Sequence, residues 1–266
     1  MDLGLTGKVA IITGGNRGIG KAVARQLARE GVDIAIAARD MVAAEAACAE
    51  IATETGRQVR AFKVDTGDDA AVRAMVAAVA AEFGRIDILV NNAAAPGGQK
   101  KPPALADITN AAFFDDMNVK VMGYIRCARE VVPHLKKQPD GRIINISGLA
   151  ARSTGNIIGS VRNIGVAAMS KNLADELGPF GITVNCVHPK LTVTEKTAEV
   201  VERQAKAQGI TPAEAEKKMA SSSLVGRLIT SEEVADVVAF LASPRAVAIN
   251  GDSITVGGGA KGSIYY

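Results

Sequence analysis

The sequence predicts an α/β fold, a doubly wound parallel sheet of about seven strands with helices on both faces. Short β-branched runs alternate along the chain with alanine-rich stretches of helical character, and the first run, VAIIT at 9–13, is apolar throughout. An entirely apolar run is typical of a strand that is buried on both faces. Strands that alternate with helices are joined by right-handed crossovers, and such crossovers produce a parallel sheet.

The elements follow one another in a regular order. The predicted strands span 9–13, 33–38, 58–64, 86–91, 142–147, 182–187 and 253–256. The predicted helices span 18–30, 41–55, 68–83, 110–135, 157–178 and 231–242. No change of composition divides them, so residues 1–266 are predicted to form a single domain. The polar stretch 194–222, broken at Gly209–Pro212, departs from the alternation and predicts a helical lid insertion, with a solvated helical excursion as the alternative.

Composition and charge exclude several classes of protein. The formal net charge of +3 is spread along the chain without a basic strip, so no nucleic-acid partner is expected. We find no apolar run long enough to span a bilayer and no leader-like segment, so no membrane location is expected. Cys48, Cys127 and Cys186 form no CxxC motif, which favours reduced thiols and a cytoplasmic location. The two histidines are too isolated for a metal site, and no metal is predicted.

A glycine-rich loop follows the first predicted strand. Gly14, Gly18 and Gly20 lie in TGGNRGIG at 13–20, immediately before a predicted helix. In such a loop the first glycine permits a tight turn, the second lets the backbone approach a diphosphate, and the third lets the helix pack closely on the strand. The helix N-terminus adds unpaired N–H groups and a positive dipole end. The sequence therefore predicts a Rossmann-type dinucleotide site, which also includes Asn16, Arg17 and Ile19.

The end of the second predicted strand indicates which dinucleotide binds. An NAD site commonly has an acidic residue there, which holds the ribose 2′-hydroxyl. This chain has Arg39 at that place, with Asp40 one residue further on and Arg17 in the glycine loop. Two guanidinium groups suit a 2′-phosphate, so NADP(H) is favoured over NAD(H). The alternative for Arg39 is a solvent-facing residue of the following loop.

Further motifs stand in an order that resembles the short-chain dehydrogenase/reductase family over nearly the whole chain. They are VDTGD at 64–68, NNAA at 91–94, MNVKVMGYIRCAREVVPHL at 117–135, GRIINIS at 141–147, GITVNCVHP at 181–189 and NGDSITVGGG at 250–259. The resemblance implies that Asp65 contacts the adenine. It implies further cofactor contacts from Asn91, Ala93, Pro189, Thr192 and Thr194. It also implies a homo-oligomer, a tetramer or dimer, built on the fourth and fifth helices.

The residues expected to carry the chemistry depart from the family pattern. The resemblance places Asn118 at the active-site asparagine, and Ser147 at the catalytic serine provided that the strand end shifts slightly. Family members also carry Tyr-x-x-x-Lys on the next helix, where the lysine lowers the pKa of the tyrosine and the tyrosine passes a proton. In GSVRNIGVAAMSK at 159–171, Gly159 and Asn163 occupy those two positions. The pair that normally transfers the proton is therefore missing.

Other residues could replace that pair, although each has an ordinary structural explanation. The candidates are Lys190 and His188 near the end of the sixth strand, Arg162 beside Asn163, and Tyr265 and Tyr266 reaching a neighbouring subunit. The ordinary explanations are a solvent-facing lysine, a turn histidine, a surface arginine and a loosely held terminus. Gly159 and Gly165 each weaken a helix by about 1 kcal/mol relative to alanine, which predicts a looser or re-routed segment.

Three functions follow from this combination. The first is an NADP(H)-dependent oxidoreductase acting on a carbonyl or alcohol with non-standard acid–base residues. The second is a catalytically impaired nucleotide-binding homologue that serves as a partner subunit or sensor. The third is a non-redox enzyme that reuses the cleft. The small-molecule substrate is not predicted, although 194–222 and the loop 95–106 would shape its pocket.

Overall fold

The computed structural model describes residues 1–94 and 102–259 of the chain. The strands are β1 (Val9–Thr13), β2 (Asp33–Ala38), β3 (Val59–Lys63), β4 (Ile88–Asn91), β5 (Arg142–Ile146), β6 (Thr183–Pro189), β7 (Thr192–Val193), β8 (Ile229–Thr230) and β9 (Ser253–Val256). The helices are α1 (Gly18–Arg29), α2 (Met41–Thr55), α3 (Asp69–Phe83), α4 (Asn110–Met117), α5 (Gly123–Leu135), α6 (Ile157–Leu177), α7 (Thr197–Gln208), α8 (Pro212–Ala220) and α9 (Ser231–Ala242). The predicted strands and main helices are present, with bounds that differ by a few residues.

The sheet has the predicted parallel, doubly wound topology. Its seven strands stand in the order β3-β2-β1-β4-β5-β6-β9, and every neighbouring pair is parallel. The order reverses direction between β1 and β4. In open α/β sheets, ligands bind outside the carboxyl ends of the strands at such a switch point. This topology therefore places the glycine loop after β1 at the expected binding edge.

Both faces of the sheet are covered by helices. Ala10 and Ile12 of β1 belong to the apolar cluster that includes α1, α2 and α9, whereas Ile11 belongs to the cluster that includes α3, α5 and α6. Successive residues of a strand point to opposite faces, so one strand contributes to both layers of the core. None of the helices in the described ranges has the length and apolar character to cross a bilayer.

The predicted helix 110–135 contains an irregularity. Residues Asn118–Met122 form a π-helical turn between α4 and α5. Two carbonyls of this turn accept side-chain hydrogen bonds: Thr66 Oγ1 donates to Val119 O at 3.3 Å and Arg126 Nη1 donates to Asn118 O at 3.1 Å. Single π-turns within α-helices frequently occur at functional sites.

The segment predicted to be loose is a regular helix. α6 begins at Ile157 and runs without interruption for 21 residues, so the expectation of a re-routed helix is wrong, whereas its looseness stays a prediction. The reason is an N-cap, since the Asn156 side chain accepts a hydrogen bond from Gly159 N at 2.9 Å. An asparagine cap stabilises a helix by about 1 kcal/mol, which offsets one glycine.

The 194–222 stretch forms the two helices α7 and α8, broken where the sequence predicts. Gly209 ends α7 with a φ of +65°, and Thr211 begins α8 with a capping box to Glu214. Val201, Ala205 and Ala215 form a small apolar cluster of their own between the two helices. Whether this pair acts as a lid stays a prediction.

Candidate functional site

The glycine loop has the close packing that the sequence predicts. Gly14 has a φ of +66°, a conformation that favours glycine. A Cβ on Gly20 would lie 2.3 Å from Gly14 O and 2.5 Å from Asn92 Nδ2. Asn92 in turn donates to Thr13 O and Gly14 O, both at 3.1 Å. The loop is therefore held to the end of β4 with no space for a side chain at position 20.

The N-terminus of α1 already binds an anionic group. Gly18 N donates to Glu195 Oε1 at 3.0 Å and to Oε2 at 3.2 Å. Helix N-termini bind anions because their first N–H groups are unpaired and the dipole is positive there. The carboxylate of Glu195 thus stands where a diphosphate oxygen would bind, and the residues present fit such a group.

Removing the charge of Glu195 should tighten dinucleotide binding. A Glu195→Gln variant is expected to bind about two- to fivefold more tightly, because a charge at a helix N-terminus contributes about 0.3–1 kcal/mol. Titration calorimetry with NADPH measures this change. Glu199→Gln, in the first turn of α7, is the matched control and should leave the affinity unchanged. Unchanged or weaker binding by Glu195→Gln would contradict this competition.

The two arginines expected near the adenosine ribose lie at the same edge. Arg39 directly follows β2 and Arg17 is the N-cap residue of α1; both are exposed. Across residues 1–94 and 102–259, neither guanidinium forms an ion pair. Asp40, the nearest acid, is the N-cap of α2, and its side chain accepts a hydrogen bond from Ala43 N at 3.1 Å. The acid is thus engaged in capping while the guanidinium groups are available.

Two of the implied cofactor residues after β3 and β4 have structural partners. Asp65 accepts a hydrogen bond from Gly67 N at 2.9 Å in the turn after β3. Asn91 is fully buried, and its Nδ2 donates to Asn145 Oδ1 at 2.9 Å. Asn91 therefore joins β4 to β5, and its Oδ1 is left without a hydrogen-bond partner within the described part of the chain.

The remaining cofactor residues lie around the same strand ends. Ala93 N donates to Thr13 Oγ1 at 3.0 Å, and the Thr194 methyl group lies 3.6 Å from the Cβ position of Gly18. Pro189 ends β6 and Thr192 begins β7. Asn16 and Ile19 are partly buried in the glycine loop. The sheet topology thus gathers the predicted cofactor residues at its carboxyl edge, and their contacts with a cofactor stay predictions.

Ser147 and Asn163 lie in direct contact. Ser147 follows β5, and its Oγ lies 3.0 Å from Asn163 O and 3.3 Å from Asn163 Oδ1. Both residues are buried, Ser147 to 8% and Asn163 to 3% exposure. Two of the positions singled out in the sequence are therefore brought together, at the β5–α6 junction.

Lys120 is the third member of this cluster, and the sequence analysis did not select it. Its Nζ donates to Ser147 O at 3.0 Å and to Asn163 Oδ1 at 3.1 Å, and the residue is only 5% exposed. Burial lowers the pKa of Lys120 to about 7, with Arg162 contributing in the same direction. A cation that titrates near neutrality thus lies beside the position where the family lysine is missing.

Asn118 points to another part of the site. Its Nδ2 donates to Gly67 O at 3.3 Å, and its Oδ1 accepts a hydrogen bond from Arg126 Nη2 at 2.8 Å. These partners lie towards the end of β3, and Asn118 has no hydrogen bond to Ser147 within the described residues. Asn118 begins the π-turn that carries Lys120, and Lys120 in turn donates to Ser147 O.

The candidates for a replacement proton donor are engaged elsewhere. Burial lowers the pKa of His188 to about 4, so this histidine is neutral at pH 7 and the hypothesis that it titrates in the useful range is wrong. Lys190 Nζ donates to Ser222 O, and burial lowers its pKa. Arg162 forms an ion pair with Asp116, with Nη1 2.7 Å from Oδ1.

Among the described residues, no tyrosine replaces the missing proton donor. Tyr124 is fully buried, and its hydroxyl donates to Ile146 O at 2.9 Å. Burial raises the pKa of Tyr124 well above its usual range, so it is a poor acid. Tyr265 and Tyr266 lie outside the described residues, as do residues 95–101 of the loop expected to shape the pocket.

This chain is similar to known reductases over nearly its whole length. The family model described as Enoyl-(Acyl carrier protein) reductase matches residues 14–261. The short-chain reductase protein NovJ of Streptomyces niveus is 37% identical over 252 residues, which cover 94% of this chain and 93% of that protein.

Solved structures extend the likeness. L-sorbose reductase from Gluconobacter frateurii, complexed with NADPH and L-sorbose, has a TM-score of 0.93 and 30% identity, covering 99% of this chain and 100% of that chain. NAD+-bound xylitol dehydrogenase has a TM-score of 0.87 and 28% identity, covering 96% of this chain and 99% of that chain. With this parallel sheet, its glycine loop and relatives that span its length, the chain belongs to the short-chain dehydrogenase/reductase family of oxidoreductases.

Proposed function

We propose that this chain is an NADP(H)-dependent oxidoreductase that acts on a carbonyl or alcohol without a Tyr-x-x-x-Lys pair. The observation that carries the proposal is the anion site at Gly18 N, which holds the Glu195 carboxylate on a glycine loop that has no space for a side chain at position 20. A dinucleotide diphosphate has the charge and the acceptor atoms that this site requires. Relatives named as reductases support the same reaction type.

The preference for NADP(H) is supported by the end of β2. Arg17 and Arg39 are exposed, whereas Asp40 is used to cap α2. A planar guanidinium forms charge-assisted hydrogen bonds with a 2′-phosphate. The L-sorbose reductase structure contains NADPH, whereas the xylitol dehydrogenase structure contains NAD+, so the arginines rather than the relatives favour NADP(H).

When bound, the dinucleotide supplies the hydride. The part left to the chain is to hold the substrate oxygen and to stabilise the negative charge that develops on it, and a proton from solvent water then completes the alcohol. Ser147 and Asn163 present a hydroxyl and an amide at the end of β5 for this purpose. Loss of a positioned acid–base group typically costs about 10²–10⁴ in rate, so turnover slower than that of relatives is expected.

The proposal is tested by following nicotinamide absorbance with a panel of ketones, keto sugars and β-ketoacyl thioesters, using NADPH and NADH in parallel. Substrate-dependent oxidation of NADPH is the expected result. Tight NADPH binding without oxidation across the panel would favour the nucleotide-binding homologue without turnover. No affinity for either dinucleotide would refute both.

Replacing Arg39 should weaken the binding of NADPH selectively. An Arg39→Ala variant is expected to lose about tenfold or more in affinity for NADPH, because a charge-assisted hydrogen bond contributes about 1.5–3 kcal/mol. The affinity for NADH should change little. Arg73→Ala, which removes an exposed arginine on α3, is the matched control. Equal losses for both dinucleotides would count against the assignment.

We also propose a cytoplasmic homo-oligomer. Ile157, Val161 and Ile164 are 51%, 46% and 53% exposed and follow one another at helical spacing on α6. An apolar stripe of this kind is typical of a helix that packs on a partner. Cys48, Cys127 and Cys186 are buried free thiols, as expected in a reducing compartment. Sedimentation that detects only monomers would refute the oligomer.

A further inference from the structure

We propose that Lys120 supplies the positive charge of the reduction site, in place of the lysine that α6 lacks, and that it holds Asn163 and Ser147 in position for the substrate oxygen. Lys120 acts through these two residues and is therefore a positioning residue. This inference rests on the proposed oxidoreductase function, which it deepens.

The ammonium group fixes the orientation of the Asn163 amide. A lysine side chain is a donor only, so the Asn163 atom 3.1 Å from Lys120 Nζ must be the carbonyl oxygen Oδ1. The same ammonium donates to Ser147 O at 3.0 Å, so one cation joins the end of β5 to α6. The amide nitrogen of Asn163 consequently points away from Lys120.

This orientation leaves two polar groups available at the end of β5. Asn163 Nδ2 has no acceptor within the described residues, and it lies 3.4 Å from the Cβ position of Gly148. The Ser147 hydroxyl, 3.0 Å from Asn163 O, can rotate its hydrogen towards another acceptor. An amide and a hydroxyl with a cation behind them are suited to hold an oxygen that gains negative charge.

The π-turn explains why Lys120 points inwards. Thr66 Oγ1 and Arg126 Nη1, which lie outside the turn, donate to the carbonyls of Val119 and Asn118 within it. These two hydrogen bonds hold the turn without any contribution from Lys120. Burying a lysine is costly, and a purely structural position would be served better by an apolar side chain. The buried position of this cation and its hydrogen bonds to Ser147 and Asn163 therefore support a functional role.

Titratable groups on three neighbouring elements face Lys120. Asp116 on α4 and Arg162 on α6 form an ion pair with each other, while Cys186 and His188 lie on β6. Arg162 opposes the ammonium form, and Asp116 and Cys186 favour it, but burial has the largest effect. The charge on Lys120 therefore changes near neutral pH.

The test compares Lys120→Met, Lys120→Arg and the control Lys171→Met, an exposed lysine on α6 that pairs with Asp175. Lys120→Met is expected to lower kcat/KM by about 100-fold or more. The wild-type kcat/KM should decrease as Lys120 loses its proton above neutral pH. Lys120→Arg keeps the charge, so it should retain part of the rate and extend activity to higher pH. Lys171→Met should match the wild type.

A second measurement uses the protein without cofactor. Because the folded-state pKa of Lys120 is lowered, the unfolded chain binds more protons above about pH 7, so this residue makes the stability rise with pH. Denaturant unfolding from about pH 6 to about pH 9 should show this rise in the wild type and in Lys171→Met, and a smaller rise in Lys120→Met.

The outcomes separate the two proposals. If the wild type oxidises NADPH with a carbonyl substrate but Lys120→Met keeps its rate and pH profile, the role of Lys120 is refuted and the function stands. If the unfolding profiles of wild type and Lys120→Met coincide, Lys120 does not titrate as a buried cation and the inference is overturned. If the wild type shows no turnover with any substrate, the proposed function fails, and the positioning role fails with it.

Discussion

A Gly20→Ala variant is expected to lose dinucleotide binding and about 1–3 kcal/mol of its free energy of unfolding. The added methyl group would lie 2.3 Å from Gly14 O and 2.5 Å from Asn92 Nδ2, closer than real Cβ atoms come to other atoms. Relief requires α1 to move away from β1. That movement would break the Asn92 hydrogen bonds to the loop and displace Gly18 N from its anion.

Gly165→Ala provides the matched control with the opposite expected sign. A Cβ at Gly165 would lie 3.6 Å from Val121, an ordinary contact, and the residue is inside α6. Replacing a helical glycine by alanine should raise the free energy of unfolding by about 0.5–1 kcal/mol. Denaturant titration and NADPH calorimetry on both variants measure these effects. A Gly20→Ala protein that binds NADPH normally would show that the loop geometry described above is wrong.

The second large effect is expected from Asn163→Lys, which restores the family residue. The change restores only the lysine of the missing pair, and Asn163 Oδ1 is 3.1 Å from Lys120 Nζ. Two ammonium groups about 4 Å apart repel each other by about 4 kcal/mol at an effective dielectric constant of about 20. The variant should therefore be destabilised and inactive. The loss should be largest below about pH 7, where Lys120 is charged, and smaller at higher pH.

Two further variants, Asn163→Met and the Lys120→Met/Asn163→Lys double variant, separate the effect of the added charge from the effect of the larger side chain. Asn163→Met adds similar volume without a charge, so the difference between the two variants measures the repulsion. In a Lys120→Met background, Asn163→Lys should regain most of that difference, because one cation then replaces the other. Thermal unfolding of the wild type, Lys120→Met, Asn163→Lys and the double variant at two pH values gives the coupling between the sites. Equal effects of Asn163→Lys in both backgrounds would contradict the contact.

Gly159 limits what a restored tyrosine could achieve. A Cβ at Gly159 would lie 3.1 Å from Cγ and Nδ2 of Asn156, the residue that caps α6. A side chain at this position requires Asn156 to shift by a few tenths of an ångström, which disturbs that cap. The Gly159→Tyr change therefore competes with the start of the helix, so restoring both family residues requires compensating changes at Lys120 and Asn156.

Much of the fold could be predicted from local patterns. Alternation of apolar runs and alanine-rich stretches is sufficient to give the parallel sheet, and the exclusion of a Cβ at Gly20 follows from the loop motif. The break at Gly209 and the helix start at Pro212 are also local signals, since a positive φ and a proline at the first turn act on their own neighbours.

The cluster of Lys120, Asn163 and Ser147 could not be predicted in this way, because its members come from distant segments. Lys120, Asn163 and Ser147 meet only once β5, α6 and the π-turn are packed together. The sequence does contain one overlooked signal. Lys120 stands on the helical stripe that continues through Tyr124, Cys127, Ala128 and Val131, all of which are buried. A lysine on an otherwise apolar stripe indicates a buried cation with a function.

The position of Glu195 couples coenzyme binding to the segment between β7 and α7. A coenzyme diphosphate and this carboxylate would compete for Gly18 N, so binding of the coenzyme would break the hydrogen bonds between Glu195, which lies between β7 and α7, and the start of α1. Linkage between two ligands is reciprocal. If a molecule strengthens coenzyme binding by drawing Glu195 away from α1, the coenzyme strengthens the binding of that molecule by the same factor. If α7 and α8 cover a substrate that draws Glu195 away from α1, the substrate and the coenzyme would each strengthen the binding of the other without direct contact.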